Sequence, residues 1–213
     1  MTYDLNSLNA THGNSPARYA GTTDIFTAAF LDSFALAGRT SLALRFGHRL
    51  SVDLDLFTNR SFDTAAVYET ILTAYPTLVK TDEAQNTLSL YINGVKVDLI
   101  AHRYPIVQAF QIQDKIRLWS IEDVSATKLG AVSNRGAKKD FWDIAELLNH
   151  VSLAQMLEWF SSKYTNSDIG YVIRSLTYFD DADLQEDPIS LRKVTWEQIR
   201  QHVLLAVRQY VRG

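Results

Sequence analysis

Two aspartates, Asp53 and Asp55, interrupt the apolar stretch LSVDLDLF that begins at Leu50. Aspartate fits a half-buried strand poorly, and an unpaired buried carboxylate is costly, so the pair suggests a chemical role. Because side chains alternate between the two faces of a strand, both carboxylates are predicted to project from one face. The residues predicted to face the core are Val52, Leu54 and Leu56.

A third aspartate, Asp98, lies in the segment NTLSLYINGVKVDLIAH. Here two alternating runs flank Asn93-Gly94, which is the strongest short signal for a β-hairpin. The alternation places Lys96 and Asp98 on one face of the second run. The residues predicted on its other face are Val95, Val97 and Leu99.

The three aspartates converge if their two strands are neighbours in one sheet. Such a cluster repels itself unless a cation fills it, and hard divalent ions such as Mg²⁺ take oxygen ligands. Two such ions about 4 Å apart can clamp the attacking and leaving oxygens of a phosphoryl or nucleotidyl transfer. Taken alone, however, an Asp-x-Asp pair is a weak signal, because aspartate pairs are common on protein surfaces.

The segment Gly38-Arg39-Thr40-Ser41 strengthens the interpretation. It lies between a predicted short strand, FALAG, and a predicted helix, TSLALRFGH, for which Thr40 is a suitable N-cap. Backbone N–H groups and the helix dipole at such a junction can hold an anion, and the two hydroxyls can add contacts. A phosphate site beside a carboxylate cluster is typical of an enzyme that handles nucleotides.

The order of predicted elements is mixed α/β first and all-helical afterwards. A helical pattern starts at Thr23, with Phe26 and Phe30 on one face, and a further helix is predicted at 63–74, capped by Asp63 or Thr64. We place the change near residue 115, which gives a core at 1–115 and a helical domain at 116–213. The elements predicted after residue 115 are a strand at 116–120, helices at 121–134, 139–150, 152–164, 167–179 and 195–211, and an acidic loop at 179–190. Thr195 and Gln198 form the one good capping box in this region.

Composition narrows the class of protein. The chain has 213 residues, 46% of them apolar and 21% charged, which is the balance of a folded globular protein. It has no cysteine, which excludes disulfides, thiolate catalysis and Cys-based zinc sites. The N-terminus lacks the basic flank and apolar run of a signal peptide, so we expect a cytoplasmic protein. The net charge of −3 does not indicate nucleic-acid binding outside a local basic patch.

Several charged residues allow two interpretations each. Lys128 lies in an amphipathic helix, where a solvated lysine is the simplest interpretation. Arg135, Lys138 and Lys139 are either a solvated helix start or a docking point for a polyanion. Arg49 either anchors phosphate or forms a salt bridge. The remaining candidates are His48, for which a structural role is favoured, and Asp140 and Asp143, which suit the positive end of a helix dipole.

The segment LAGRTSLALRFGHRLSVDLDLF resembles the first motif of the AbiEii/AbiGii toxin family, whose members are nucleotidyltransferases with a polymerase-β-like fold. The family motif reads Gly-Gly-(Ser/Thr), a helix, and then His-Arg-x-Ser-x-Asp-Leu-Asp-Leu-Phe. VKVDLI is similar to the strand that carries the family's third carboxylate, and the stretch from Ser120 to Leu148 resembles a later family segment. The matches run in order over about residues 34–150. The residues that match the first motif are His48, Arg49, Ser51, Asp53, Leu54, Asp55, Leu56 and Phe57.

The resemblance implies a polymerase-β-like α/β (α+β) core with a mixed sheet, followed by a C-terminal helical bundle that contributes to the active site. It implies Mg²⁺-dependent transfer of NMP from an NTP to a tRNA or protein acceptor, tRNA being the acceptor of the MenT-type toxins. It also implies a toxin of a toxin–antitoxin or abortive-infection system, with an antitoxin as partner. The implied metal ligands are Asp53, Asp55 and Asp98, and the implied catalytic residues add Lys128 and Asp140. The implied nucleotide-binding residues are Gly38, Arg39, Thr40, Ser41, Arg49 and Lys128.

One departure from the family motif is Arg39, which replaces the second glycine. An arginine there either crowds the approach of the backbone to a triphosphate or itself holds phosphate. Two alternatives to the toxin interpretation therefore stay open. The chain could be a non-catalytic protein that binds a nucleotide or a partner, or a nucleotidyltransferase that modifies small molecules such as antibiotics.

Overall fold

The computed structural model describes residues 31–113 and 116–213. The chain divides into two compact units. Unit 1 contains the described residues up to Gly47, Ser51–Tyr104 and Ala109–Trp119, and unit 2 contains His48–Leu50, Pro105–Gln108 and Ser120–Gly213. The helix predicted from Thr23, with Phe26 and Phe30, begins outside the described residues.

Unit 1 is a mixed α/β structure built on one seven-stranded sheet. Its strands are β1 (Ala35–Leu36), β2 (Leu54–Thr58), β3 (Val79–Ala84), β4 (Thr87–Ile92), β5 (Val95–Ala101), β6 (Gln111–Gln113) and β7 (Ile116–Leu118). Its helices in the described residues are α1 (Gly38–Phe46) and α2 (Thr64–Ala74). Asp63 caps α2, as predicted, by accepting from the N–H groups of Ala65 and Ala66.

The sheet has the strand order β3-β4-β5-β2-β1-β7-β6. Strand β2 pairs in parallel with β5 and antiparallel with β1, and β1 pairs in parallel with β7. The two strands that carry the aspartates are therefore neighbours. One face of this central pair is buried in the core of unit 1, through Leu54, Leu56, Val97 and Leu99.

The Asn93-Gly94 hairpin is confirmed. Strands β4 and β5 pair antiparallel, and the two turn residues have φ values of 50° and 78°. A two-residue turn of this kind requires positive φ at both central positions, which asparagine and glycine adopt most readily. Val95, Val97 and Leu99 are buried, as the alternation predicts.

Several local predictions are wrong. Helix α1 begins at Gly38, two residues before Thr40, and its N-cap is Ala37, so Thr40 is not the cap. Strand β2 begins only at Leu54, and Val52 is 40% exposed rather than in the core. The edge strands β3 and β6 were not predicted, because they have no buried face and therefore no alternation of apolar and polar residues.

Unit 2 is helical. Its helices in the described residues are α3 (Ile121–Arg135), α4 (Lys138–Leu147), α5 (Leu153–Lys163), α6 (Ile169–Ser175), α7 (Asp180–Asp183) and α8 (Trp196–Arg212). The Thr195–Gln198 capping box is confirmed, and Ser152 with Gln155 forms a second one that the sequence analysis missed. The acidic stretch predicted as a loop contains the short helix α7. None of the described helices is long and apolar enough for a membrane span.

The observed architecture confirms the predicted fold class, with a mixed sheet followed by helices. The last strand, β7, ends at Leu118 and belongs to unit 1. Every described element after it is a helix of unit 2.

Candidate active site

Asp55 and Asp98 lie side by side on the polar face of the sheet. The parallel pairing of β2 with β5 sets these two residues in register, so their side chains project from the same face. Asp53 comes two residues earlier, at the entrance to β2. The sheet therefore pairs two of the three predicted aspartates on unit 1, and the third lies in the loop that leads into β2.

The start of helix α1 lies directly against the Asp55 carboxylate. Gly38 has a φ of 62°, and a Cβ at this position would be 2.3 Å from Asp55 Oδ2 and 3.0 Å from its Cγ. Such a distance is far below van der Waals contact, so only glycine fits here without displacing Asp55. The predicted phosphate-binding segment and the predicted carboxylate cluster are thus contiguous.

The two predicted phosphate-contacting hydroxyls make bonds within unit 1. Thr40 Oγ1 donates to the carbonyl oxygen of Asp53 and lies 2.8 Å from Ser51 Oγ, and Ser41 Oγ donates to the Gly38 carbonyl oxygen at 2.9 Å. Both side chains are buried. Thr40 thereby ties helix α1 to the loop that carries Asp53, a positioning role that the sequence analysis did not foresee.

Two cations contact the aspartates. Arg39 Nη2 lies 3.4 Å from Asp53 Oδ2, and the Lys96 ammonium donates to Asp98 Oδ2 at 2.6 Å. Ser89 Oγ donates to the other Asp98 oxygen at 2.6 Å. The hydrogen bond to Asp98 raises the pKa of Lys96, and the charges of Asp98, Asp53 and Asp55 add to this shift. All three carboxylates therefore act electrostatically on one ammonium group.

The donor set fits Mg²⁺ by its chemistry. Carboxylate oxygens are the ligands Mg²⁺ prefers, and this ion commonly uses one or two carboxylates together with substrate phosphates and water. In residues 31–113 and 116–213, no three Asp, Glu or His side chains are arranged to hold one metal ion together. The carboxylates of Asp53 and Asp98 instead contact Arg39 and Lys96.

A second polar cluster is buried in unit 2 around Asp143. Its carboxylate accepts from Arg49 Nε and Nη2, both at 2.8 Å, and lies 2.7 Å from Lys128 Nζ and 2.8 Å from His48 Nε2. The Asp143 side chain is 0% exposed. Burial alone would raise its pKa, but Lys128, Arg49 and His48 outweigh burial and hold the pKa far below the ordinary value.

Asp140 extends this buried cluster toward the surface. It accepts from Lys128 Nζ at 3.0 Å, and from Arg135 at 2.7 and 2.9 Å. The opposing cations lower its pKa despite burial. For Arg49, the salt-bridge alternative is the one the structure contains. The nucleotide-binding role of Lys128 and the catalytic roles of Lys128 and Asp140 stay predictions.

Another buried ion pair, Lys163 with Asp123, was missed by the sequence analysis. Lys163 Nζ donates to Asp123 Oδ1 at 2.6 Å, and burial lowers the pKa of Lys163. Asp123 also accepts from the N–H groups of Val107 and Gln108. The pair therefore fixes the segment Pro105–Gln108 within unit 2. No local pattern signals it, because the partners are far apart along the chain.

Arg135 also faces an open cleft of about 520 Å³ in unit 2. The cleft is lined in addition by Arg174, Tyr171, Tyr178 and Asp181. The two tyrosines are 51% and 52% exposed, and Arg174 lies over the Tyr171 ring at 5.9 Å. Of the basic cluster predicted at 135–139, Lys138 is instead buried and paired with Asp187 at 3.0 Å.

Comparison with known proteins decides the family. The family model described as "Nucleotidyl transferase AbiEii toxin, Type IV TA system" matches residues 23–210. The chain belongs to the AbiEii family. It is thus an enzyme of the nucleotidyltransferase class, as the resemblance of its motifs implied, and its substrate class is the NTPs.

Other proteins resemble this AbiEii family member in sequence or in fold. An uncharacterized protein of Aquifex aeolicus (strain VF5) is 28% identical over 195 residues, which cover 88% of this chain and 92% of that protein. A Helicobacter pylori structure provisionally described as a nucleotidyltransferase superposes with a TM-score of 0.59 at 17% identity, covering 93% of this chain and 95% of that one. The nucleotidyltransferase toxin MenT4 of Mycobacterium tuberculosis H37Rv gives a TM-score of 0.56 at 14% identity, covering 82% and 75% respectively. These structures support the fold.

Proposed function

We propose that this AbiEii family member transfers NMP from an NTP to a hydroxyl group of an RNA acceptor, in a reaction that depends on Mg²⁺. In this reaction the acceptor oxygen bonds to the α-phosphorus, the bond from the α-phosphorus to the bridging oxygen breaks, and pyrophosphate leaves. The observation that supports it most strongly is the register of Asp55 with Asp98, beside a helix start at which only glycine fits.

The residues of unit 1 divide the work. Asp53, Asp55 and Asp98 would hold Mg²⁺, which supplies charge stabilisation to the phosphates when bound. The N–H groups and the helix dipole in the first turn of α1, at Gly38 and Arg39, suit the β- and γ-phosphates. Asp98 is the group we assign to accept the proton of the acceptor hydroxyl. Thr40 and Ser41 fix the position of this turn and of the Asp53 loop through their own hydrogen bonds.

The cleft of unit 2 supports RNA as the acceptor. Exposed tyrosine rings stack on unpaired bases, and arginine contacts phosphates and can stack as well. Tyr171 and Tyr178 with Arg135 and Arg174 combine these features in one cleft, although Asp181 adds one opposing charge. Arg135 also bonds to Asp140, which links the cleft to the buried cluster of Lys128 and Asp143.

Transfer of label tests the proposal. Purified protein is incubated with each α-labelled NTP, with total tRNA or with a protein mixture, in Mg²⁺ or in EDTA. We expect label on RNA, release of pyrophosphate in equal amount, and loss of both in EDTA. Label on protein would keep the transfer but reject the RNA acceptor, and NTP binding without pyrophosphate release under any acceptor would favour a non-catalytic binding protein.

A matched pair of variants tests the role of the cleft in the same assay. Tyr178→Ala removes one exposed ring from the cleft, and Tyr210→Ala removes an exposed tyrosine of α8 that lines a different cleft. We expect the first to raise the KM for RNA about 5- to 150-fold, the range of one lost base–aromatic stack. The second should leave the KM unchanged. Equal KM values for the two variants would reject the cleft as an acceptor site.

We also propose that an antitoxin accompanies the protein, since its family is described as part of a type IV toxin–antitoxin system. The proposed substrates, NTPs and tRNA, are found in the cytoplasm, and we place the reaction there.

A further inference from the structure

Lys96 and Arg39 have a property that nucleotidyl transfer itself does not require: both contact the carboxylates that would hold the metal. Lys96 Nζ is 2.6 Å from Asp98 Oδ2, and Arg39 Nη2 is 3.4 Å from Asp53 Oδ2. Lys96 stands two residues before Asp98 in β5, so the strand itself presents both groups on one face. The Lys96 side chain is 38% exposed, which leaves it free to turn.

The charges at this position make the site a poor one for a free metal ion. Three carboxylates carry three negative charges, and Lys96 and Arg39 together offset two of them. A divalent ion that enters alone must compete with an ammonium group already bonded to a prospective ligand. A triphosphate changes this balance of charge, because its negative charges can neutralise the metal ion and both side chains.

We propose that Lys96 is an exchangeable counter-cation of the carboxylate cluster, which releases Asp98 to the metal and turns to the triphosphate when the two enter together. Metal and nucleotide therefore bind cooperatively, and the site accepts the metal–NTP complex in preference to the free ion. Arg39 likewise releases Asp53 to the metal and turns to the triphosphate. In this chain the motif position that is glycine in the family pattern thus supplies a second cation.

The inference rests on the proposed function only in that the same carboxylates hold the metal, and its test measures binding rather than turnover. Mn²⁺ serves as the probe, followed by its electron paramagnetic resonance signal, with and without an α,β-methylene NTP analogue that cannot be cleaved. Coupling between two ligands is reciprocal, so the analogue must raise Mn²⁺ affinity by the same factor by which Mn²⁺ raises affinity for the analogue.

The decisive variant is Lys96→Met, which removes the charge and keeps most of the side-chain length. We expect it to bind Mn²⁺ alone about tenfold more tightly than the wild type, since a like charge close to the ion is gone. The factor by which the analogue tightens Mn²⁺ binding should fall by a similar amount. Lys96→Arg keeps the charge and should retain the coupling.

Lys80→Met is the matched control. Lys80 is an equally exposed lysine on β3 whose partner is Glu83 at 2.7 Å, outside the aspartate cluster. It should leave Mn²⁺ binding and coupling unchanged, and melting temperatures confirm that each variant folds. Unchanged Mn²⁺ affinity and coupling in Lys96→Met would overturn the inference while the proposed function stands. Failure of Mn²⁺ to bind the wild type even with the analogue would reject both.

Discussion

Replacing Gly38 with alanine is expected to lower the rate of nucleotidyl transfer by about 100-fold or more. The new Cβ would lie 2.3 Å from Asp55 Oδ2, so the carboxylate or the start of α1 has to move by about 1 Å, and a displacement of that size costs about two orders of magnitude in rate. The change is measured as the initial rate of label transfer from an α-labelled NTP.

Gly47→Ala provides a control for backbone strain. Gly47 also has a positive φ, 57°, at the C-cap of the same helix, but an added Cβ there would meet nothing within 4 Å. Both variants lose stability because alanine is strained at positive φ, by about 1–2 kcal/mol each. Only Gly38→Ala should also lower the rate of label transfer, whereas Gly47→Ala should transfer label at nearly the wild-type rate. Similar activity in the two variants would show that contact with Asp55 has no bearing on the reaction.

Replacing Asp143 with alanine is expected to destabilise the protein by about 3–5 kcal/mol, because it removes the counter-charge of the buried Arg49 and leaves Lys128 with Asp140 alone. Asp143 holds Arg49 through two hydrogen bonds and lies 2.7 Å from Lys128, and its side chain is fully buried. The free energy of unfolding is measured by urea denaturation at pH 7. Asp32→Ala is the control, since Asp32 pairs with Arg117 at 3.0 Å but is 73% exposed. A surface pair of this kind contributes about 1 kcal/mol or less.

The contribution of Asp143 to the free energy of unfolding is expected to depend on pH. Lys128, Arg49 and His48 hold the pKa of Asp143 well below its ordinary value in the folded state. A carboxyl of this kind stabilises the fold fully above its unfolded pKa of about 3.9, and the stabilisation is lost as pH falls through the folded value. The difference in unfolding free energy between wild type and Asp143→Ala should therefore narrow below about pH 4. A difference that stays constant down to pH 2 would contradict this assignment.

Much of the sheet could be predicted from the sequence because its signals are local. The Asn93-Gly94 turn and the alternation on either side of it determine the β4–β5 hairpin, and the alternation in β5 places Asp98 opposite its apolar residues. The parallel pairing of β2 with β5 depends on tertiary structure, and the sequence analysis could state the adjacency of these two strands only as a condition. Exposed edge strands such as β3 have no buried face and hence no period to detect.

The candidate site residues could be named from the sequence, but the hydrogen bonds among them could not. Thr40 was expected to cap a helix, whereas tertiary contact with the Asp53 loop uses its hydroxyl instead. The pairing of Arg49 with Asp143 joins residues 94 positions apart, a separation over which sequence spacing carries no information. Alternation in β5 placed Lys96 and Asp98 on one face, but it did not predict their ion pair. The additional effect of Asp53 and Asp55 on Lys96 depends on tertiary structure.

The most direct test of the proposed carboxylate site compares Asp55→Asn with the wild type in label transfer. Asparagine matches aspartate in shape, so a melting temperature near that of the wild type will show that the sheet is intact. We expect the rate to fall about 10³-fold, equivalent to ~4 kcal/mol of lost transition-state stabilisation. Asp82→Asn, on the exposed edge strand β3, should retain full activity. Wild-type transfer by Asp55→Asn would contradict the account, because the sheet would then hold its aspartates in register for some other purpose.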